Sequence, residues 1–120
     1  MHFVGVDIIE LSRIERVMER WGDRFFQRIY TETELMLCSN KPNRLATRFA
    51  AKEAVMKALG TGTRGVGWRE IEVLSESNGK PYIKLYGNAR SKAEELGIGE
   101  LAISLSDTHE YAVAFVVGGD

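Results

Sequence analysis

Two acids and a lysine carry the first suggestion of chemistry. Asp7 interrupts the apolar stretch "VGVDII", and Glu53 and Lys57 stand four apart in "RFAAKEAVMKALG". A carboxylate in an apolar strand is costly to bury alone, so Asp7 needs water, a cation or a donor. Gly5, two residues earlier on the same face, leaves room beside it. On a helix, Glu53 and Lys57 share one face. Ala50, Ala51, Ala54 and Ala58 keep much of that helix small, which permits close approach to a sheet or a ligand. Two carboxylates with phosphate oxygens and waters make an ordinary Mg²⁺ site, and a neighbouring ammonium suits a phosphate. The plainer alternatives are a helix N-cap for Asp7 and a surface i,i+4 ion pair for Glu53 and Lys57.

The same segment runs into "GTGTRGVGW", where Gly60, Gly62 and Gly65 have the G-x-G-x-x-G spacing. A dinucleotide fingerprint needs those glycines after a strand and at the start of a helix. Here they follow a helix, whose C-terminus repels phosphate. No Lys-Ser or Lys-Thr closes the run, so it is not a P-loop either. Two readings stay open. One is a helix stop at Gly60 and a turn; the other is a nest of backbone amides for an anion, with Thr61, Thr63 and Arg64 adding donors.

Arg13, Arg16, Arg20 and Arg24 are spaced three or four apart beside an apolar stripe of Ile14, Val17, Trp21 and Phe25. Such a face is either simply solvated or a docking surface for an acidic protein helix, with the arginines steering. Gly22 threatens to end the helix before Arg24. Near the C-terminus, Asp107, Thr108 and His109 lie between two apolar runs; a polar turn is the reading preferred over a Ser/His/Asp triad, because contiguous residues rarely supply triad geometry.

These residues must be held by elements that the pattern also predicts. "HFVGVDII" reads as a strand with Val4, Val6 and Ile8 on one face and Gly5 and Asp7 on the other. Helical spacing runs from Glu10 to about Trp21, and again through "RLATRFAAKEAVMKALG" to a cap at Gly60. "EIEVLSE" and "PYIKLYG" form a hairpin at Asn78-Gly79. "NARSKAEELG" is a helix ending at Gly97, "LAISLS" alternates, and "YAVAFVV" is apolar on both faces, as a central strand is. The order β-α-α-β-β-α-β-β predicts an α+β fold, one domain over residues 1–120 with helices packed on a mainly antiparallel sheet.

Bulk properties narrow the classes. The 120 residues hold 16 Lys and Arg against 17 Asp and Glu, a net charge of −1 that argues against a general nucleic-acid binder. The chain is 44% hydrophobic and 28% charged, the ordinary globular range. Cys38 is the single cysteine, which excludes an internal disulfide and fits a reduced, cytoplasmic setting. The apolar run Tyr111–Val117 is far short of the ~20 residues that span a bilayer.

Taken together, "GVDIIELSRIE", "RFAAKEAVMKALGTG" and "ISLSDTHEYAVAFVV" resemble the holo-acyl-carrier-protein synthases, the small phosphopantetheinyl transferases, over essentially the whole chain. The resemblance implies transfer of phosphopantetheine from coenzyme A to a serine of an apo acyl carrier protein, in fatty acid biosynthesis. It implies Mg²⁺ on Asp7 and Glu53, and Lys57 at the transferring phosphoryl group. Arg48, Gly60, Thr61 and Gly62 would contribute to coenzyme A binding. Arg13, Arg16, Arg20, Arg24 and Phe25 would receive the carrier protein. A homotrimer with sites between subunits is also implied. Many relatives have a His where this chain has Asp107, so that residue and His109 inherit no role. Two other functions remain: a non-catalytic module that docks acidic helices, and a Mg²⁺-dependent hydrolase of nucleotide pyrophosphates.

Overall fold

The computed structural model describes residues 2–120. Strand β1 (Phe3–Glu10) leads straight into helix α1 (Leu11–Arg20). Gly22, at φ 54°, turns the chain into a second short helix, α2 (Asp23–Ile29). A third, α3 (Glu32–Cys38), starts on a capping box in which the Thr31 hydroxyl accepts from the Glu34 amide and the Glu34 carboxylate accepts from Thr31 N–H. The sequence pattern predicted neither α2 nor α3, since each is two turns long and too short for a clear period.

The long helix α4 (Pro42–Leu59) organises the molecule. Pro42 occupies its first turn, where a missing N–H costs nothing, and Gly60 ends it in the left-handed conformation at φ 74°. A single 3₁₀ turn (Trp68–Glu70) precedes the hairpin of β2 (Ile71–Ser75) and β3 (Pro81–Leu85). Helix α5 (Gly87–Leu96) is capped by Gly97, and β4 (Glu100–Asp107) and β5 (Tyr111–Gly119) close the chain.

All strand pairings are antiparallel, as expected, but they form two sheets: β1-β5-β4 with β5 central, and the separate β2-β3 hairpin. Helix α4 lies across the inner faces of β1 and β5. Its Ala50, Ala51 and Ala54 are fully buried against Ala112, Ala114 and Val116 of β5. Small residues on both surfaces let the helix backbone come close to the sheet. The face of β1 that meets α4 is the Gly5–Asp7–Ile9 face. Val4, Val6 and Ile8 point the other way and are 53%, 50% and 61% exposed.

Inside, one buried ion pair joins four segments. Lys52 Nζ donates to Glu34 Oε1 at 2.7 Å, to the Trp68 carbonyl at 3.1 Å and to the Ile71 carbonyl. Glu34 Oε2 accepts from the Val73 amide at 2.8 Å. Both side chains are fully buried, and every ammonium proton has an acceptor. Desolvation lowers the Lys52 pKa, and the Glu34 carboxylate opposes that shift. Cys38 is buried nearby and its thiol is pushed up to about 11, chiefly by desolvation, which makes it unreactive.

Candidate active site

β1 and α4 bring Asp7, Glu53 and Lys57 together. Asp7 pairs in register with Ala114 of β5, so its side chain emerges on the α4 side of the sheet. It is therefore a strand residue and not a helix N-cap; α1 begins at Leu11 with Glu10 as its cap residue. Lys57 Nζ donates to Asp7 Oδ1 and to the Val6 carbonyl, both at 3.0 Å. The lysine thus reaches across to the strand, and the expected i,i+4 salt bridge with Glu53 gives way to this contact. The space that Gly5 was expected to leave open near Asp7 is filled by the α4 backbone at Ala54 and Ala58.

The electrostatics of the cluster are those of two acids held close. Desolvation raises the Glu53 pKa above the ordinary glutamate range, and the Asp7 charge raises it further. Lys57 and Arg13, from α1, partly offset the effect. A pair of carboxylates that repel each other, Glu53 half-buried and Asp7 12% exposed beside Lys57, would suit a divalent cation. Magnesium takes one or two protein carboxylates and completes its shell with phosphate and water, so Asp7 and Glu53 suffice as protein ligands. Among the described residues, no group of three or more His, Cys, Asp or Glu is placed to hold a metal ion.

The glycine loop begins one turn beyond Lys57. Thr61 N–H donates to the Met56 carbonyl at 3.1 Å, and its hydroxyl donates to the Gly62 carbonyl at 3.0 Å. Gly62, Thr63, Arg64 and Gly65 are exposed, and Val66 returns to the core. The helix-stop reading describes Gly60 correctly; of the amides that follow, those of Thr61 and Arg64 donate to the Met56 and Thr61 carbonyls, and the exposed residues Gly62, Thr63 and Gly65 face solvent.

Arg48 lies apart from this cluster. It sits five residues before Glu53, on another side of α4, and is only 8% exposed. Its Nη2 donates to Ser75 Oγ at 3.3 Å and its Nη1 reaches the Arg44 carbonyl at 3.5 Å, while buried Nε has no partner. The guanidinium lines a hollow with Ser75, Gly79, Pro81 and Ser104. An under-partnered buried guanidinium in a polar hollow is suited to an anion. The sequence reading missed Ser75, Gly79 and Pro81 of the hairpin and Ser104 of β4.

The arginine stripe is divided. Arg13, Arg16 and Arg20 border one hollow on α1, whereas Arg24 and Phe25 border a second on α2, with Arg28 beside them. Trp21, 56% exposed, belongs to both, and the Arg20 guanidinium lies 5.5 Å from its ring centre. Gly22 thus breaks the helix, as foreseen, yet the surface continues across the break. Arg28 was not anticipated, although it continues the four-residue spacing from Arg24.

Asp107 ends β4, and Thr108 and His109 lie in the turn into β5. Thr108 Oγ1 accepts from the Glu110 and Tyr111 amides at 3.2 and 3.1 Å. Asp107 accepts from Asn43 Nδ2 at 3.2 Å, and His109 is exposed.

With this geometry in view, comparison with known proteins is decisive. The family model of the 4'-phosphopantetheinyl transferase superfamily matches residues 3–116. The chain belongs to that superfamily. A holo-[acyl-carrier-protein] synthase of Herpetosiphon aurantiacus is 47% identical over 98% of this chain and 98% of that one. Among solved structures of this transferase family, the holo-[acyl-carrier-protein] synthase of Helicobacter pylori in complex with coenzyme A superposes with a TM-score of 0.89. It is 31% identical and covers 97% of this chain and 99% of its own. The synthase of Neisseria meningitidis gives a TM-score of 0.87 at 45% identity, over 98% of both chains. The chain is accordingly an enzyme of the phosphopantetheinyl transferase class with the α+β fold of these structures.

Proposed function

We propose that this chain transfers phosphopantetheine from coenzyme A to a serine of an apo acyl carrier protein, releasing adenosine bisphosphate. The observation that carries the reading is the Asp7–Glu53–Lys57 cluster beside an exposed glycine loop, on the fold shared with the coenzyme A complex of the Helicobacter pylori synthase. Asp7 and Glu53 would hold Mg²⁺, which would supply charge withdrawal from the pyrophosphate. Lys57, more than half exposed and tethered only through Asp7 and Val6, is free to turn its ammonium to the phosphoryl oxygens. Phosphoryl transfer gives the protein little covalent work, so positioning and charge neutralisation carry the rate. Asp7, Glu53 or an ordered water accepts the serine proton.

The coenzyme and the carrier protein take different surfaces. Gly60, Thr61 and Gly62 contact the coenzyme near Lys57, and Arg48 with its polar hollow takes an anionic end of it. The acidic carrier protein docks on Arg13, Arg16, Arg20, Arg24 and Phe25. We further propose that residues 1–120 act as one domain in a cytoplasmic homotrimer serving fatty acid biosynthesis. Two features support assembly. Arg48 and Glu53 face different sides of α4, so one coenzyme reaches both most simply between two copies. Val6 pairs with Phe115 on the outer face of the sheet, flanked by Val4 and Ile8, and this apolar face is left uncovered in the single chain. These side chains are already about half buried, so covering the rest of each contributes about 1 kcal/mol.

Intact mass spectrometry tests the transferase reading. Apo carrier protein, coenzyme A and Mg²⁺ with the enzyme should yield one added phosphopantetheine. EDTA, Asp7→Ala or Glu53→Ala should abolish it. Coenzyme A cleavage without a carrier would point to a hydrolase, and metal-independent carrier binding without transfer to a docking module.

A further inference from the structure

The glycine loop is fastened at both ends, and at the far end a carboxylate reinforces the buried Val66. Glu70, half-buried on the 3₁₀ turn, accepts from the Gly67 amide through Oε1 at 2.7 Å. Its other oxygen, Oε2, accepts from the Asn88 amide in the first turn of α5 at 2.8 Å. The Glu70 carbonyl also accepts from Tyr86 N–H at 2.9 Å. A methyl group on Gly87 would overlap Glu70 Oε2, so the glycine there leaves the space that the carboxylate fills. Just before Glu70, Trp68 stacks on Phe49 of α4 with ring centres 5.0 Å apart.

We propose that Glu70 is a positioning residue for coenzyme A, acting through the loop. The inference rests on the reading of Gly60, Thr61 and Gly62 as coenzyme contacts. The near end of the loop is continuous with α4, and the far end is held by Val66 in the core and by Glu70 at Gly67. Only the four exposed residues Gly62–Gly65 lie between these anchors. A short span with fixed ends samples few conformations, so its amides meet the phosphates already arranged, and binding costs less ordering entropy. Releasing Gly67 leaves Val66 alone to hold the far end, so the span loosens without any change at Asp7, Glu53 or Lys57. The effect should therefore appear in coenzyme affinity and leave turnover alone.

The chemistry of the clasp also distinguishes two substitutions. A carboxylate accepts through both oxygens, whereas a carboxamide accepts through one and presents N–H to the other donor. Glu70→Gln preserves size and packing yet loses one of the two amides. A side chain that merely fills space is rescued by glutamine; a two-amide clasp is not.

The test uses Glu70→Gln and Glu70→Ala in the full-length enzyme, each checked by circular dichroism and thermal unfolding. Coenzyme A is varied at saturating carrier protein, then the reverse. Hydrogen exchange of residues 61–67 is followed without coenzyme. Both variants should raise the coenzyme KM about five- to tenfold, with kcat and the carrier KM within about twofold of the parent. Loop exchange should accelerate in both. A Glu70→Ala enzyme with the coenzyme KM and loop exchange of the parent overturns the proposal. So does faster loop exchange with unchanged coenzyme KM, which would also detach the loop from coenzyme binding. Failure of the parent enzyme to use coenzyme A at all removes the basis of the inference, and is told apart because it appears without any substitution.

Discussion

Gly5 and Ala54 are in direct backbone contact: a Cβ on Gly5 would overlap the Ala54 carbonyl oxygen and lie 3.1 Å from the Ala58 amide nitrogen. This is the closest approach of β1 to α4 that a residue type enforces. It sets the distance between the strand that bears Asp7 and the helix that bears Glu53. Gly5→Ala must push strand and helix apart, and overpacking of this kind costs about 1–3 kcal/mol. Thermal unfolding should fall by roughly 5–15 °C. The transfer rate should fall more than the folded fraction accounts for, because the acids no longer share one site. A variant with full specific activity would show that the separation tolerates an extra methyl.

Glu53 carries a pKa above the ordinary glutamate range, from burial first and from Asp7 second. A carboxylate with a raised folded pKa binds protons more tightly in the native state. Its contribution to stability is therefore fully present below the unfolded pKa and is lost as pH rises through the folded value. Glu53→Gln should unfold about 1–3 °C higher than the parent at pH 7, with the gap closing as pH drops below the range where Glu53 titrates. Activity should fall at least about a hundredfold. Melting curves across pH with the ion chelated check the first outcome, and mass spectrometry of the carrier protein the second.

Lys52 and Glu34 pose the opposite situation, a buried charge pair whose remaining hydrogen bonds are met by backbone groups. Removing one partner leaves an uncompensated buried charge, at a cost of about 3–5 kcal/mol. Lys52→Met should consequently lower the denaturation midpoint sharply. Glu34→Gln should be milder, because its carboxamide oxygen still accepts one of the Thr31 and Val73 amides. Urea titrations rank the two, and the reverse order would mean that the amides matter more than the ammonium.

Trp21 joins the hollow of Arg13, Arg16 and Arg20 to that of Arg24, Phe25 and Arg28. Exposed charges of this sort act through steering and are screened by salt. Reversing Arg24 and Arg28 to Glu should raise the KM for an acidic carrier protein roughly five- to tenfold at low ionic strength, while the coenzyme KM stays put. By about 0.5 M salt the difference should shrink to near nothing. A penalty independent of salt would indicate lost packing around Phe25 rather than lost steering.

What the sequence revealed follows from how far each signal extends along the chain. Asp7, Glu53 and Lys57 were legible because strand alternation and helix period assign faces locally. The strands, α1, α4 and α5 followed from period and from Gly60, Gly79 and Gly97 at turns. Lys52 was opaque, since a lysine in a helix is ordinarily solvated and its partner is 18 residues away on an unpredicted helix. Arg48 was expected at the coenzyme, but its hollow depends on a hairpin about 30 residues on, and no local pattern encodes that meeting. Gly5 was read as open space because spacing identifies a missing side chain without saying what fills its place.

Strand β1 has two working faces, with Asp7 on one and Val6 and Ile8, its immediate neighbours, on the other. No position in this stretch is spare. Drift in Asp7 disturbs the chemistry, and drift on either side disturbs whatever covers the apolar surface. Were the outer face covered by other copies, as the proposed trimer requires, specific activity would decay on dilution, and a cell holding few copies would have less than its proportionate share of enzyme.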